Sequence, residues 1–422
     1  MLDIRLIRDT PEIVKKDLQK REDSEKLAWV DEVLELDKQW RALNVDKEKL
    51  RASRNEVSKE IASLKKEGKD ASSKLKEASE IPKKIEEIES KQNALKEKID
   101  YYLMRLPNIL HESVPVGADD TENESVKLVG EKPTFDFTPK SHVDIIEEQD
   151  LADTSRAGKI SGARFWFLKG SLAMLDFALQ KYAIDFMFKK KYTIVHPPFM
   201  MNRESYEGVT DLGDFEDVMY KIEDEDLYLI ATSEHPLTAM YMGEILEADK
   251  LPMKMCGISS CFRKEAGAHG KDTKGIFRGH QFNKIEQIIF CKPEESWHYH
   301  EELMQNASEF FESLGLHFRI VNICTGDIGT VAAKKYDIEA WYPVQNAYRE
   351  VVSCSNCTDY QARRLKIRFR TSEGNVIAHT LNSTCVATSR ALAAIIENFQ
   401  NPDGTVNIPK VLQPYMNGLT KL

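Results

Sequence analysis

The chain has 422 residues, 41% of them hydrophobic, and a formal net charge of −10. That length and apolar content suit two domains with a real core, and the acidic balance excludes a bulk basic surface for nucleic acid, so an RNA or phosphate partner needs local patches. No apolar run reaches the roughly 18–20 residues that span a bilayer, the opening MLDIRLIRDTPEIVKK holds no apolar signal core, and seven dispersed cysteines fit a reduced compartment; a cytoplasmic protein without a membrane partner is expected.

In chain order, the first elements lie at about 27–106. Val33, Leu36, Trp40, Leu43, Lys47, Leu50, Arg54, Val57, Ile61 and Leu64 alternate spacings of three and four, a heptad seam with eight of ten positions apolar. KKEGKDASS at 65–73 carries Gly68, a stop and a turn. A second seam follows at Ile81, Ile85, Ile88, Gln92, Leu95, Ile99, Tyr102 and Leu106, with Pro82 placed to begin or kink its helix. The two seams predict an antiparallel helical hairpin whose first helix, of about 40 residues at about 1.5 Å each, extends about 60 Å. Residues 27–106 hold 18 Lys/Arg and 17 Asp/Glu, a net of +1, and Lys65, Lys66, Lys69, Lys74 and Lys76 cluster at the tip. Pattern alone leaves two readings open, a solvated coiled coil for dimerisation and an arm that touches phosphates.

After a turn-rich linker, mixed α and β patterning sets in. Strands are predicted at 193–195, 217–222, 227–231, 254–262, 280–291, 317–323, 346–352, 365–370 and 376–381, and helices at 171–190, 234–247, 294–314, 328–336 and 386–399. Consecutive strands, with no GxGxxG and no GxxxxGK[ST], predict an α+β fold, an antiparallel sheet flanked by helices.

Four stretches carry residues suited to chemistry. FRKEAGAHGKDTKGIFRGHQFNKIE (262–286) joins two predicted strands by a glycine-rich basic loop. Alternation along a strand puts Arg263 and Glu265 on one face, and Phe282 and Glu286 on one face of the returning strand. A cation, a carboxylate and a ring on one surface suit a nucleotide; the bland alternative is a solvated hairpin loop. EVVSCSNC (350–357) offers Glu350 and Ser353, hard oxygens able to share Mg2+ with phosphates. HTLNSTCVATSR (379–390) runs from a strand through small residues to Arg390 in the opening turn of a helix, an end that favours anions. ATSEHPLT (231–238) is a strand end, a Thr232-Ser233-Glu234 corner and a helix start at Pro236.

Together these stretches, in this order and behind the helical arm, resemble the seryl-tRNA synthetase family of class II aminoacyl-tRNA synthetases, over essentially the whole chain. KKYTIVHPPF (190–199) resembles the first class motif, FRKE…GHQFNKIE the second and STCVATSR the third. The resemblance implies an N-terminal tRNA-binding domain at 1–112, a catalytic domain at 113–422, and a homodimer formed through the Pro198 region. It implies AMP-forming activation of L-serine by ATP and transfer of the seryl group to serine tRNA, with selenocysteine tRNA a second candidate acceptor. By the same resemblance Arg263 and Arg390 are catalytic cations on the phosphates. Lys264, Glu265, Arg278, Gly279, Phe282, Val351 and Val352 complete the ATP site with Glu350 and Ser353, the pair that holds Mg2+. Thr232, Ser233, Glu234, Arg263, Glu286, Asn382 and Thr384 form the serine pocket. The five tip lysines face the tRNA.

Cys354 and Cys357 form a CxxC with no second pair, so no zinc is expected. His298 and His300 of WHYHEE, two apart on a predicted helix, fall on different faces. The connection 266–278 is expected to stay mobile until ATP or the tRNA acceptor end arrives. Rival readings are a class II enzyme for threonine or proline, and a paralogue retained as a binding protein.

Overall fold

The computed structural model describes residues 1–213, 215–266, 272 and 274–422, and the chain divides into Met1–Leu106 and Pro107–Leu422. Of the connection 266–278, expected to be mobile, residues 267–271 and 273 lie outside the described ones.

In the first unit, helix α1 (Ser24–Lys66) and helix α2 (Ser72–Leu103) pair along their seams. Asp23 caps α1 by accepting from Lys26 N, and Gly68, at φ +67°, lets the chain turn. Val33, Val57, Ile81, Ile85, Gln92 and Ile99 are buried, whereas Arg54 is exposed. The polar seam residues answer each other: Lys47 Nζ donates to Gln92 Oε1 at 2.6 Å, and Gln92 Nε2 reaches Trp40 O and Asn44 Oδ1, both at 3.4 Å. A buried polar pair of this kind fixes the register of a coiled coil. Pro82 neither starts nor ends α2, which begins ten residues earlier. Helices Ile4–Asp9 and Pro11–Lys20 pack on the base of α1, where Arg8 makes a two-pronged pair with buried Asp37 at 2.7 and 2.6 Å.

The second unit is built on strands β1 (Glu124–Val129), β2 (Thr193–Val195), β3 (Met253–Phe262), β4 (Gln281–Cys291), β5 (Phe318–Asn322), β6 (Lys334–Tyr342), β7 (Ala347–Asn356) and β8 (His379–Ala387). They form one sheet in the order β1-β5-β6-β7-β8-β4-β3-β2, antiparallel throughout except for the parallel edge pair of β2 with β3. Helices α3 (Gly170–Lys189), α4 (Glu234–Ala239), α5 (Ser296–Ser313) and α6 (Thr388–Asn398) flank it. Alternation along β4 separates two environments. Ile285, Ile289 and Cys291 sit in the main core with Leu172 and Leu179 of α3, Leu303 and Phe310 of α5 and Ile395 of α6. Ile288 and Phe290 join a second cluster with Tyr206, Leu237 of α4 and Leu365. Between these, Phe282, Lys284 and Glu286 face a cavity.

The α+β class and the flanked antiparallel sheet match the expectation, and four local expectations do not. Residues 328–336 are a loop running into β6, not a helix; Gly329 at φ +76° stops helical winding, and pairing with β5 and β7 captures the following residues. Helix 234–247 ends at Ala239, because Ile245–Glu247 pairs in parallel with Arg368–Arg370. In place of strand 217–222, residues 217–218 end a short helix, Phe215–Val218, and Lys221 makes an isolated bridge to Tyr228. Arg263–Glu265 lies beyond the end of β3. Among the described residues no helix is long and apolar enough to cross a membrane.

Candidate active site

A cavity of about 490 Å³ opens over the face of the sheet that carries Phe282, Lys284 and Glu286. Its floor comes from β4, β7 and β8, and its walls from the start of α4, the residues after β3 and the loops 209–211 and 328–332.

Two bulges shape the floor. Glu350 and Ser353 are three apart, so a regular strand would aim them to opposite faces. The register between β6 and β7 shifts at Ile338/Glu339, opposite Val352 and Glu350, so Val351 is extra. The bulge returns Glu350 and Ser353 to one face, and both line the cavity. A second shift between Thr384 and Val386 leaves Cys385 extra, so that Thr384 and Ala387 both face inward.

At one end of the cavity are the cations and the ring. Arg390, in the first turn of α6, donates through Nη1 to Glu350 O at 2.9 Å and stands 3.3 Å from Glu350 Oε2. Arg263 donates to Ala231 O at 3.2 Å and lies 5.3 Å over the Phe282 ring. Glu350 is 47% exposed toward the cavity. Its depth in the cleft works against ionisation, but Arg390, Lys335 and Arg263 outweigh this and hold its carboxyl below the usual range. A carboxylate and a hydroxyl open to the cavity are donors that fit Mg2+ shared with phosphate oxygens. Behind them Asp337, the partner of Ser353 on β6, is buried and its carboxyl is pushed up by that burial.

At the other end lie Thr232, Glu234, Glu286, Asn382 and Thr384. Glu234 Oε1 accepts from Gln361 Nε2 at 3.0 Å and Asn382 Nδ2 at 3.1 Å, and Thr384 Oγ1 donates to Glu286 Oε2 at 3.3 Å. Burial, and then the neighbouring Glu286, push Glu234 up to about 7. Gly257 makes the close approach of α4 possible: a Cβ there would lie 2.6 Å from Ser233 Oγ and 3.1 Å from Leu237 Cδ2.

The structure brings together most of the residues singled out above: Arg263, Glu265, Arg278, Gly279, Phe282, Glu350, Val351, Ser353, Arg390, Thr232, Glu234, Glu286, Asn382 and Thr384 all line this cavity. Strand alternation is not what joins Arg263 to Glu265, since Glu265 takes φ +50° past the strand and its Oε2 accepts from Arg278 Nη1 at 2.7 Å. Three expected residues stand apart from the lining. Ser233 packs over Gly257, Val352 is buried in the core on the opposite face, and Lys264 follows the strand end with its N–H bonded to Val218 O at 3.0 Å. The sequence reading missed Lys284, Phe277, Asp211, Ser355 and the 328–332 loop, all of which line the cavity. Lys284 had a signal, since it stands two residues from Phe282 and two from Glu286.

Elsewhere, His300 is buried with Nε2 3.1 Å from Cys354 O, while His298 is exposed. Cys354 and Cys357 are free buried thiols, the second beside Asn382 at 3.6 Å. At the arm tip, Lys69 pairs with Glu67 and Lys74 with Glu60 and Glu77.

Comparison with known proteins adds a second line of observation. The family model "tRNA synthetase class II core domain (G, H, P, S and T)" matches residues 219–399, and "Seryl-tRNA synthetase N-terminal domain" matches residues 1–110. The chain is 60% identical to a serine–tRNA ligase of Methanocorpusculum labreanum, over all of both chains. The fold is similar to a seryl-tRNA synthetase from Pyrococcus horikoshii solved with ATP, at a TM-score of 0.96 and 51% identity over 100% of this chain and 99% of that one. It is also similar to a cytoplasmic serine–tRNA ligase of Naegleria fowleri solved with AMP, at a TM-score of 0.91 and 38% identity over 100% and 98% of the two chains.

Proposed function

Because this chain belongs to the seryl-tRNA synthetase family of class II, we propose that its cavity is where ATP activates L-serine and where the seryl group passes to serine tRNA. One observation carries the reading: a single cavity joins an anion-binding end, with Arg263, Arg390, Glu350, Ser353 and Phe282, to a small polar end, with Glu234, Glu286, Asn382 and Thr384.

On this reading the work divides among the cavity residues. Phe282 offers a ring to the adenine, and Glu265 and Gly279 border it. Arg263 and Arg390 neutralise the triphosphate as the serine carboxylate attacks the α-phosphorus in line, forming the acyl–phosphate bond and releasing pyrophosphate. Glu350 and Ser353 would hold Mg2+, which when bound supplies charge neutralisation to the phosphates. Glu286 receives the serine ammonium, with Thr232 and Thr384 beside it. A ribose hydroxyl of the terminal tRNA adenosine then attacks the acyl carbon and AMP leaves. The cavity has polar groups for serine's hydroxyl, so alanine would leave them unpaired, which is a strong basis for rejection.

Met1–Leu106 is the natural reader of the tRNA, by shape and backbone, with Lys65, Lys66, Lys69, Lys74 and Lys76 as its candidate contacts. On α3, Phe177 and Phe188 are 70% and 68% exposed and eleven residues apart, hence on one face. With exposed Pro198 after edge strand β2, this apolar surface supports a homodimer. Seven free cysteines suit a reducing cytoplasm.

The test is ATP–pyrophosphate exchange with a panel of amino acids, then charging of total tRNA. Serine alone should support exchange at low concentration, and charging should be confined to serine acceptors. Exchange with threonine or proline instead would overturn the reading, and no exchange at all would favour a binding paralogue.

A further inference from the structure

The reaction as described leaves one buried cation of the cavity without a role. Lys284 is 6% exposed and lines the cavity. A buried ammonium is costly unless paired, and its Nζ stands 2.6 Å from Glu286 Oε2. Thr384 Oγ1 donates to that same oxygen. Both contacts fall on Oε2, which leaves Oε1 for a substrate donor. The strand neighbours of Lys284 are Ser259 on β3 and Ala387 on β8, and those of Glu286 are Gly257 and Thr384. None of these can replace Lys284 as a counter-ion. Arg263 is engaged by Ala231 O and the Phe282 ring. The pocket therefore sets two carboxylates, Glu234 and Glu286, against Lys284, which pairs with Glu286, Arg263, whose charge also reaches Glu234, and the substrate ammonium.

Building on the assignment of Glu286 to the serine ammonium, we propose that Lys284 is the positioning residue of the serine pocket: it clamps Glu286 by one oxygen, presents the other to the substrate, and balances one of the two carboxylates. The other titratable groups facing Glu286 stay out of the way near neutrality. His235 of α4 is pushed down to about 3 by burial and by Lys284 and Arg263. Burial pushes up the thiols of Cys256 and Cys261 on β3, Cys354 on β7 and Cys385 on β8. Lys284 is also one of the charges that hold the Glu234 carboxyl down, so without it Glu234 would keep its proton to higher pH.

The experiment measures serine-dependent ATP–pyrophosphate exchange for the full chain with Lys284→Met and Lys284→Arg between pH 6.5 and 8.5. For Lys284→Met the KM for serine should rise at least about tenfold at pH 7.5, with the KM for ATP within about twofold of wild type. That serine KM should fall more steeply with rising pH than the wild type's, in which Glu234 already titrates near 7, and Lys284→Arg should recover most of the loss. A serine KM within twofold of wild type would overturn the proposal, as would a parallel rise in both KM values with an unchanged pH profile. If Lys284→Met melts below the assay temperature, Lys284→Gln, which can still donate to Oε2, carries the same comparison. Failure of the wild type itself to exchange with serine would instead remove the underlying assignment.

Discussion

Arg263 is the residue on which most of the proposed chemistry converges. It reaches Ala231 O at one side and the Phe282 ring at the other, so it spans the two ends of the cavity. Arg263→Ala should lower serine-dependent pyrophosphate exchange by at least about a hundredfold, since a preorganised charge on the reacting phosphate contributes on that scale; exchange near the wild-type rate would count against the assignment. Glu234 makes a different prediction, about stability. Its carboxyl is raised from 4.5 to about 7, so the folded state resists its ionisation. At one pH unit to about 1.4 kcal/mol, the ionised group costs on the order of 3–4 kcal/mol. Below pH 4.5 both states are protonated and the cost is absent. It grows as pH rises toward 7, where the unfolded chain ionises and the folded chain does not, and is constant above. Glu234→Gln keeps an acceptor for Gln361 and Asn382, so it should melt higher than wild type at pH 8, with little gain at pH 4.5, while losing serine activation. An equal gain at both pH values, measured by calorimetry, would show that ionisation is not the cause. At this scale the sequence was informative where residue types imply chemistry, as for Arg263, Glu350 and Arg390. Lys284 stood at the strand spacing of Phe282 and Glu286, but a lysine reads as solvated until its burial and its partner are seen.

Secondary-structure elements place these residues through features that periodicity does not carry. A two-residue repeat assigns faces along β4 correctly, but it misassigns Glu350 and Ser353, which share a face only through the bulge at Val351. Helix length was overestimated at 234–247 and a helix expected at 328–336 for a related reason. Runs such as TVAAKK and MYMGEILEADK hold good helix formers, and their fate is set by partners far away in the chain, the 368–371 strand and the β5–β7 ladder. Helix α4 shows how much rests on one missing methyl group. It carries Glu234 into the pocket by lying against Gly257, where a Cβ would come within 2.7 Å of both Ser233 Oγ and Cβ. Gly257→Ala should therefore push α4 off β3, at an overpacking cost of about 1–3 kcal/mol. The KM for serine should rise about tenfold and that for ATP should hardly change, because Phe282 and Arg390 are on other elements. Steady-state exchange kinetics separate the two constants, and an unchanged serine KM would mean that α4 does not set the pocket.

For the whole molecule, the proposal divides labour between a catalytic unit that makes the adenylate and an arm that selects the tRNA. The heptad seams made the arm legible from sequence, down to its polar positions, but the pairing of Lys47 with Gln92 required the register. That register also dictates how the division should be tested. Removing all of 30–104 would strip Val30, Val33 and Asp37 from the base, where Arg8 and the first two helices pack. A cut that joins Asn44 to Asn93 through a short glycine linker keeps this base and shortens both helices together. The truncated protein should retain serine-dependent pyrophosphate exchange within about twofold, because among the described residues the cavity lining begins at Val209. Charging of serine tRNA should fall by about a hundredfold or more, through loss of the surface that reads RNA shape and backbone. Raising the salt concentration should weaken charging by the full-length chain more than by the truncated one, since the distal arm carries the lysine cluster. Normal charging by the truncated protein, measured on total tRNA, would take the tRNA away from the arm and leave the open alternative, a coiled coil that serves association.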